Sequence, residues 1–178
     1  MQVFKTAAEV QQRIDEMAQE IIAAYKTESP LFVCLLRGSC PFASQLMFAI
    51  SRHDPDFHPQ LEYMMLSTYG DERIGKTSQL VMDLPSGVEV TGRTVIVLDD
   101  VLDKGLTAAF SEKHLLNKGA HRVELIVLAQ KEVERVEYQQ AAMFGFAAPD
   151  KWLVGMGMDD TTVAREGQRW LDYVGIVE

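Results

Sequence analysis

The run Val95-Ile96-Val97-Leu98-Asp99-Asp100-Val101-Leu102-Asp103-Lys104-Gly105-Leu106-Thr107 constrains this chain more than any other stretch. Its first four residues are apolar, rich in β-branching and free of polar alternation. That is the pattern of a strand buried on both faces, and so of a parallel sheet covered by helices. Two adjacent carboxylates follow at the strand's C-terminal end. A short loop then carries a third carboxylate, a glycine and a threonine, and Ala108 to Leu116 continue as a helix. Unpaired backbone N–H groups at a helix N-terminus attract anions. Gly105 lets the backbone approach an oxyanion closely, and Thr107 adds a hydroxyl donor. Carboxylates beside such a site repel the ligand unless they hold a hydroxylated sugar or a magnesium ion.

The rest of the chain repeats the strand and helix alternation. Thr6-Ala7-Ala8-Glu9 has the form of a capping box, and Val10, Ile14, Met17, Ile21 and Tyr25 recur at helical spacing behind it. Leu31 to Leu36 is an apolar strand, Arg37-Gly38-Ser39-Cys40 a loop, and Pro41 opens a second helix through Phe42, Leu46, Met47 and Ile50. Leu61 to Ser67 and Gln79 to Met82 are strands. Between them Thr68 to Ser78 is polar, has no apolar period, and is expected to be a mobile loop. Val123 to Leu128 is a further strand, with shorter ones at Phe144-Gly145-Phe146, Trp152-Leu153-Val154 and Tyr173 to Val177. The expected fold is α/β, a mostly parallel twisted sheet flanked by helices. Ligands on such sheets bind at the carboxyl ends of the strands, so the loops after Leu36, Leu98 and Leu128 should converge, carrying Arg37, Asp99 to Thr107, and Lys131.

Composition narrows the function. A chain of 178 residues suits one domain, and 47% hydrophobic content argues against disorder. A net charge of −9 with no basic run argues against nucleic acid as a partner. No apolar run is long enough to cross a bilayer, and Met1 to Thr6 lack the basic start and apolar stretch of a signal peptide. Cys34 and Cys40 complete no zinc pattern and suit reduced thiols in a cytoplasmic protein.

The acidic strand-loop-helix resembles the phosphoribosyl pyrophosphate signature of type I phosphoribosyltransferases, and the resemblance extends along nearly the whole chain to the hypoxanthine-guanine members. It implies one domain over 1–178, with a core of about 20–145 and a small hood built from the terminal segments, about 1–15 and 146–178. It implies that Asp99, Asp100, Asp103, Lys104, Gly105, Leu106 and Thr107 hold the ribose and 5′-phosphate. Leu35-Leu36-Arg37-Gly38 is similar to the family's pyrophosphate loop, in which the bond before the basic residue is cis. Thr68 and Tyr69 begin a stretch similar to its long flexible loop. Lys131 stands where the family has a lysine that donates to the exocyclic oxygen of the purine. Lys151, Trp152 and Leu153 match its purine pocket, with Trp152 as the stacking aromatic. Asp159, with Asp99 and Asp100, stands at positions that serve magnesium. Arg169 matches an arginine that contacts pyrophosphate, with Arg165 as a rival. Lys104 replaces a small hydroxyl residue and either supplies charge to the phosphate or faces solvent. Asp99 replaces a glutamate and keeps the charge.

The resemblance implies purine salvage: transfer of 5-phosphoribosyl from phosphoribosyl pyrophosphate to N9 of hypoxanthine or guanine, giving IMP or GMP and pyrophosphate. Asp103 is the implied general base near purine N7, Mg2+ the implied cofactor, and a homodimer or homotetramer the implied assembly. The alternatives are a xanthine-preferring transferase and a nucleotide-sensing regulator of the same fold.

Overall fold

The computed structural model describes residues 1–69, 77–135, 138, 140–159 and 166–177. The elements along the chain are β1 (Gln2–Lys5), α1 (Ala7–Tyr25), β2 (Leu31–Leu36), α2 (Cys40–His53), β3 (Gln60–Tyr69), β4 (Thr77–Met82) and β5 (Thr94–Leu102). There follow α3 (Leu106–Asn117), β6 (Arg122–Lys131), β7 (Met143–Ala148), β8 (Trp152–Val154), a short 3-10 helix (Glu166–Trp170) and β9 (Val174–Val177).

Six strands form the main sheet in the order β4-β3-β2-β5-β6-β7, and all neighbours are parallel except β3 and β4. The unbroken apolar runs of β2, β5 and β6 are explained by burial on both faces. Phe32, Cys34, Ile96, Leu98, Ile126 and Leu128 point into one core with α1 and α2. Val33, Val95, Val97, Leu125 and Val127 point into the other with Leu115 of α3. Thr6 caps α1 through the reciprocal Thr6–Glu9 box, and the buried Val10, Ile14, Met17, Ile21 and Tyr25 are the helical stripe expected from their spacing. Asp83, just past β4, anchors α3 by accepting from Lys118 Nζ at 2.8 Å and pairing with the His114 ring at 2.9 Å.

A second sheet, ordered β1-β9-β8 and antiparallel, joins segments far apart in sequence. Leu153, Met156, Val174 and Ile176 carry it into the same core as α1 and α2. Among the described residues no helix is long and apolar enough to cross a membrane.

Three boundaries differ from the sequence reading. β1 carries no clear strand pattern and is held by its pairing with β9. β5 continues through Asp99 and Asp100 to Leu102, because Asp99, Val101 and Leu102 keep parallel partners on β6. The loop expected over Thr68 to Ser78 is shorter: Thr68 pairs with Ser78 and Tyr69 with Thr77 in the β3–β4 hairpin. Main-chain pairing needs no apolar period, and Thr and Tyr suit strands. Residues 70–76 of the expected loop lie outside the described residues.

Candidate active site

The loops after β2, β5 and β6 meet at the carboxyl ends of their strands, as a parallel sheet requires. The β5 loop is the centre. Residues 99–108 line a cavity of about 360 Å³. Gly105, at φ +87°, is the N-cap of α3 and offers no side-chain acceptor to the first turn. The N–H groups at that end are therefore open to an anion. Leu106 and Thr107 start the helix, and Lys104 is exposed at the rim.

Asp99 and Asp100 lie side by side and half-buried at the base of this cavity. The Asp100 N–H donates to Asp99 Oδ1 at 3.0 Å, and the Val101 N–H to Asp100 Oδ1 at 2.8 Å. Burial, then the adjacent Asp100 charge, pushes the Asp99 carboxyl well above the ordinary carboxylate range. Burial also raises Asp100, against the Val101 N–H and the charge of Arg169. A carboxyl raised on folding contributes stability that is fully present below its unfolded pKa of about 4 and is lost as pH rises through the folded value. Asp99→Asn should therefore stabilise the ligand-free protein at pH 7. The gain should fade as pH falls towards 4, as read by denaturant unfolding across that window. No gain at neutral pH would show that the pair is not strained in the empty site.

A second cavity, of about 190 Å³, opens beside the first and shares Asp100, Val101 and Asp103 with it. Lys131, Trp152, Leu153, Met158 and Asp159 complete its wall. Lys131 ends β6, is 8% exposed, and places Nζ 2.9 Å from Asp103 Oδ2. The other Asp103 oxygen, Oδ1, is buried with no hydrogen-bond partner among the described residues. Leu153 is buried, whereas Trp152 is 44% exposed and donates from Nε1 to the Asp159 carbonyl at 2.8 Å. Lys151 does not line this cavity. Its N–H closes a tight turn onto the Pro149 carbonyl, and the residue is exposed.

The Arg37-Gly38 loop approaches from β2. The Leu36–Arg37 bond is cis, Arg37 is exposed, and a Cβ added to Gly38 would overlap the Asp100 carboxylate. Arg169, 9% exposed, donates to the Gly157 carbonyl and ion-pairs with Asp159. This pair holds the turn from Met156 to Asp159 against the β2 loop. Arg165 lies outside the described residues, as do the side chains of Thr68 and Tyr69.

The expected metal set is not assembled. Among the described residues no three His, Cys, Asp or Glu side chains stand close enough to hold an ion; Asp159 lines the second cavity with Asp100 and is engaged by Arg169. Magnesium is usually held through one or two carboxylates plus substrate phosphates. The Asp99-Asp100 pair alone, two crowded carboxylates, still suits that chemistry.

Two contributors to the site had no recognisable signal. Arg135 donates to the Asp103 carbonyl, and Tyr138 packs against Gly105. Both lie in the connection between β6 and β7, which has neither helical nor strand period.

Comparison with known proteins gives a consistent picture. The profile of the phosphoribosyl transferase domain matches residues 4–161. The hypoxanthine-guanine phosphoribosyltransferase of Aquifex aeolicus is 34% identical over 153 residues, covering 85% of this chain and 82% of that protein. The bifunctional protein TilS/HprT of Listeria innocua is 30% identical over 171 residues. The match covers 96% of this chain, which spans only about a quarter of that protein (25%). Among solved structures, a hypoxanthine phosphoribosyltransferase from Staphylococcus aureus superposes with a TM-score of 0.87 at 26% identity, over 100% of this chain and 91% of the other.

Proposed function

The chain belongs to the phosphoribosyl transferase domain family, and on that premise we propose that it transfers 5-phosphoribosyl from phosphoribosyl pyrophosphate to N9 of hypoxanthine or guanine, releasing IMP or GMP and pyrophosphate. The observation that carries this reading is the meeting of two cavities at Asp100 and Asp103. One is a loop-and-helix anion cradle floored by carboxylates. The other is a smaller slot with an aromatic rim and a Lys131–Asp103 donor–acceptor pair. A phosphorylated sugar fits the first and a planar base the second, with the sugar's anomeric carbon at their junction.

In this reading the amides at the start of α3, Thr107 and Lys104 bind the 5′-phosphate. Asp99 and Asp100 hold the ribose hydroxyls. Arg37 faces the leaving pyrophosphate, and Arg169 reinforces the field from beneath while fixing Asp159. Asp103 takes the purine proton, and Lys131 donates to the 6-oxo group. Asp99 and Asp100 would also hold Mg2+. When bound, the ion supplies positive charge to the leaving group. The transition state builds positive charge on the sugar and negative charge on pyrophosphate, so fixed charges and positioning do most of the catalysis. We take 1–178 to act as one unit with the β1-β9-β8 sheet as its hood, in the cytoplasm, as a homodimer or homotetramer.

Pyrophosphate release tests this. With magnesium and phosphoribosyl pyrophosphate, hypoxanthine or guanine should turn over, and adenine should be poor, because its amino group presents a donor to the Lys131 donor and gives it nothing to donate to. Turnover of adenine alone would overturn the assignment of Lys131.

A further inference from the structure

Arg135 belongs to none of the motifs that define the site. Its Nε donates to the Asp103 carbonyl at 2.7 Å, and Nη2 donates to the Leu102 carbonyl at 3.2 Å and to the Lys131 carbonyl. One guanidinium thus gathers the last carbonyls of two adjacent strands and the first of the anion loop. Arg135 does not line the cavity bounded by residues 99–108, so it grips the loop from behind. A trans peptide is planar, and its C=O and the following N–H point in opposite directions. Drawing the Leu102 and Asp103 carbonyls onto Arg135 therefore turns the N–H groups of Asp103 and Lys104 the other way. It also removes two negative dipole ends from the face an anion approaches. The same connection supplies a second hold. Tyr138 presses on Gly105 so closely that a Cβ there would lie 2.9 Å from the Tyr138 Cβ and 3.0 Å from its carbonyl.

We propose that Arg135 is a positioning residue that aims the Asp103 and Lys104 amides at the 5′-phosphate of the phosphoribosyl substrate. This rests on the phosphoribosyltransferase reading above. Arg135 touches no substrate; it fixes the peptide planes that do. An arginine suits the task because its planar fork reaches several acceptors at once, which an ammonium on a flexible stem does not.

The test compares wild type, Arg135→Ala and Arg135→Lys by steady-state kinetics, with thermal melting alongside. In Arg135→Ala the KM for phosphoribosyl pyrophosphate should rise about 10-fold or more, the loss of roughly one well-made charge-assisted interaction. The KM for hypoxanthine should stay within about threefold, since the Lys131–Asp103 side-chain pair and the Trp152–Asp159 bond hold the base slot apart from the carbonyls Arg135 gathers. Arg135→Lys should recover only a minor part of the loss. If Arg135→Ala fails to fold, Arg135→Lys carries the same split between the two KM values. Both KM values rising together, neither moving, or full recovery with lysine would each overturn the proposal. Absence of pyrophosphate release by the wild type with any oxopurine would instead defeat the parent reading.

Discussion

Asp103→Asn should lower turnover about 10²–10⁴-fold, the usual consequence of removing a general base. Asparagine keeps the size and one oxygen of the carboxylate but replaces a proton acceptor with a donor. The geometry makes the site sensitive to that exchange. Oδ2 is held 2.9 Å from Lys131 Nζ, and Oδ1 is buried and unpartnered among the described residues. One oxygen is thus oriented by the ammonium, and the other is committed to no donor among the described residues. The variant should also lose some stability, because Lys131, only 8% exposed, is left without its counter-charge. Substrate KM values should change far less than kcat, since the acceptor acts where the proton is in flight. Single-turnover rates with hypoxanthine are the measurement, and a rate near wild type would assign the base elsewhere.

Gly157→Ala should be the most damaging single methyl in this wall of the site. Gly157 sits at φ +100°, and a Cβ there would overlap the Gly38 carbonyl oxygen and lie 3.0 Å from Pro41 Cδ. Neither partner can yield: one is backbone in the loop that bears Arg37, the other is a ring in the first turn of α2. Backbone strain and overpacking together should cost about 2–4 kcal/mol in denaturant unfolding. Relief by movement would push Gly38 off Asp100, so kcat should fall with stability. Gly87→Ala is the control, because a Cβ there meets nothing within 4 Å and the residue is not at positive φ. It should stay within about 0.5 kcal/mol of wild type. Equal stability of the two variants would show that the Met156–Asp159 turn does not press on the β2 loop.

The sheet was legible because its central strands β2, β5 and β6 are apolar on both faces, and the alternation of strand with helix left little choice of topology. The convergence of Arg37, the Asp99–Thr107 stretch and Lys131 followed from that topology alone. What stayed hidden depended on contacts between segments distant in sequence. β1 shows no period that sets it apart and exists through β9. The strand character of Asp99 and Asp100 comes from the β6 ladder, whereas the residues themselves suggest a loop. Asp159 looked free to join a metal set with Asp99 and Asp100, and only the folded chain brings Arg169 onto it. Arg135 sits in an aperiodic stretch beside Glu132 and Glu134, where a lone arginine resembles solvated surface. The main-chain carbonyls it gathers leave no trace in side-chain patterns.

The pairing of Gln2 with Ile176 and Val3 with Gly175 has a consequence for the order of assembly. Closing a loop of nearly the whole chain is entropically the most demanding step available to it, and contacts of that range form late. The main sheet, with its crossovers between neighbouring segments, can be built first, bringing the acidic loop and Lys131 into place. The wall that carries Trp152 and Arg169 belongs to the second sheet, in which β8 pairs with β9 over a short range and β1 closes onto β9 last. Capacity for the sugar phosphate should thus precede capacity for the base during folding, so that a half-finished molecule presents a cradle without a slot.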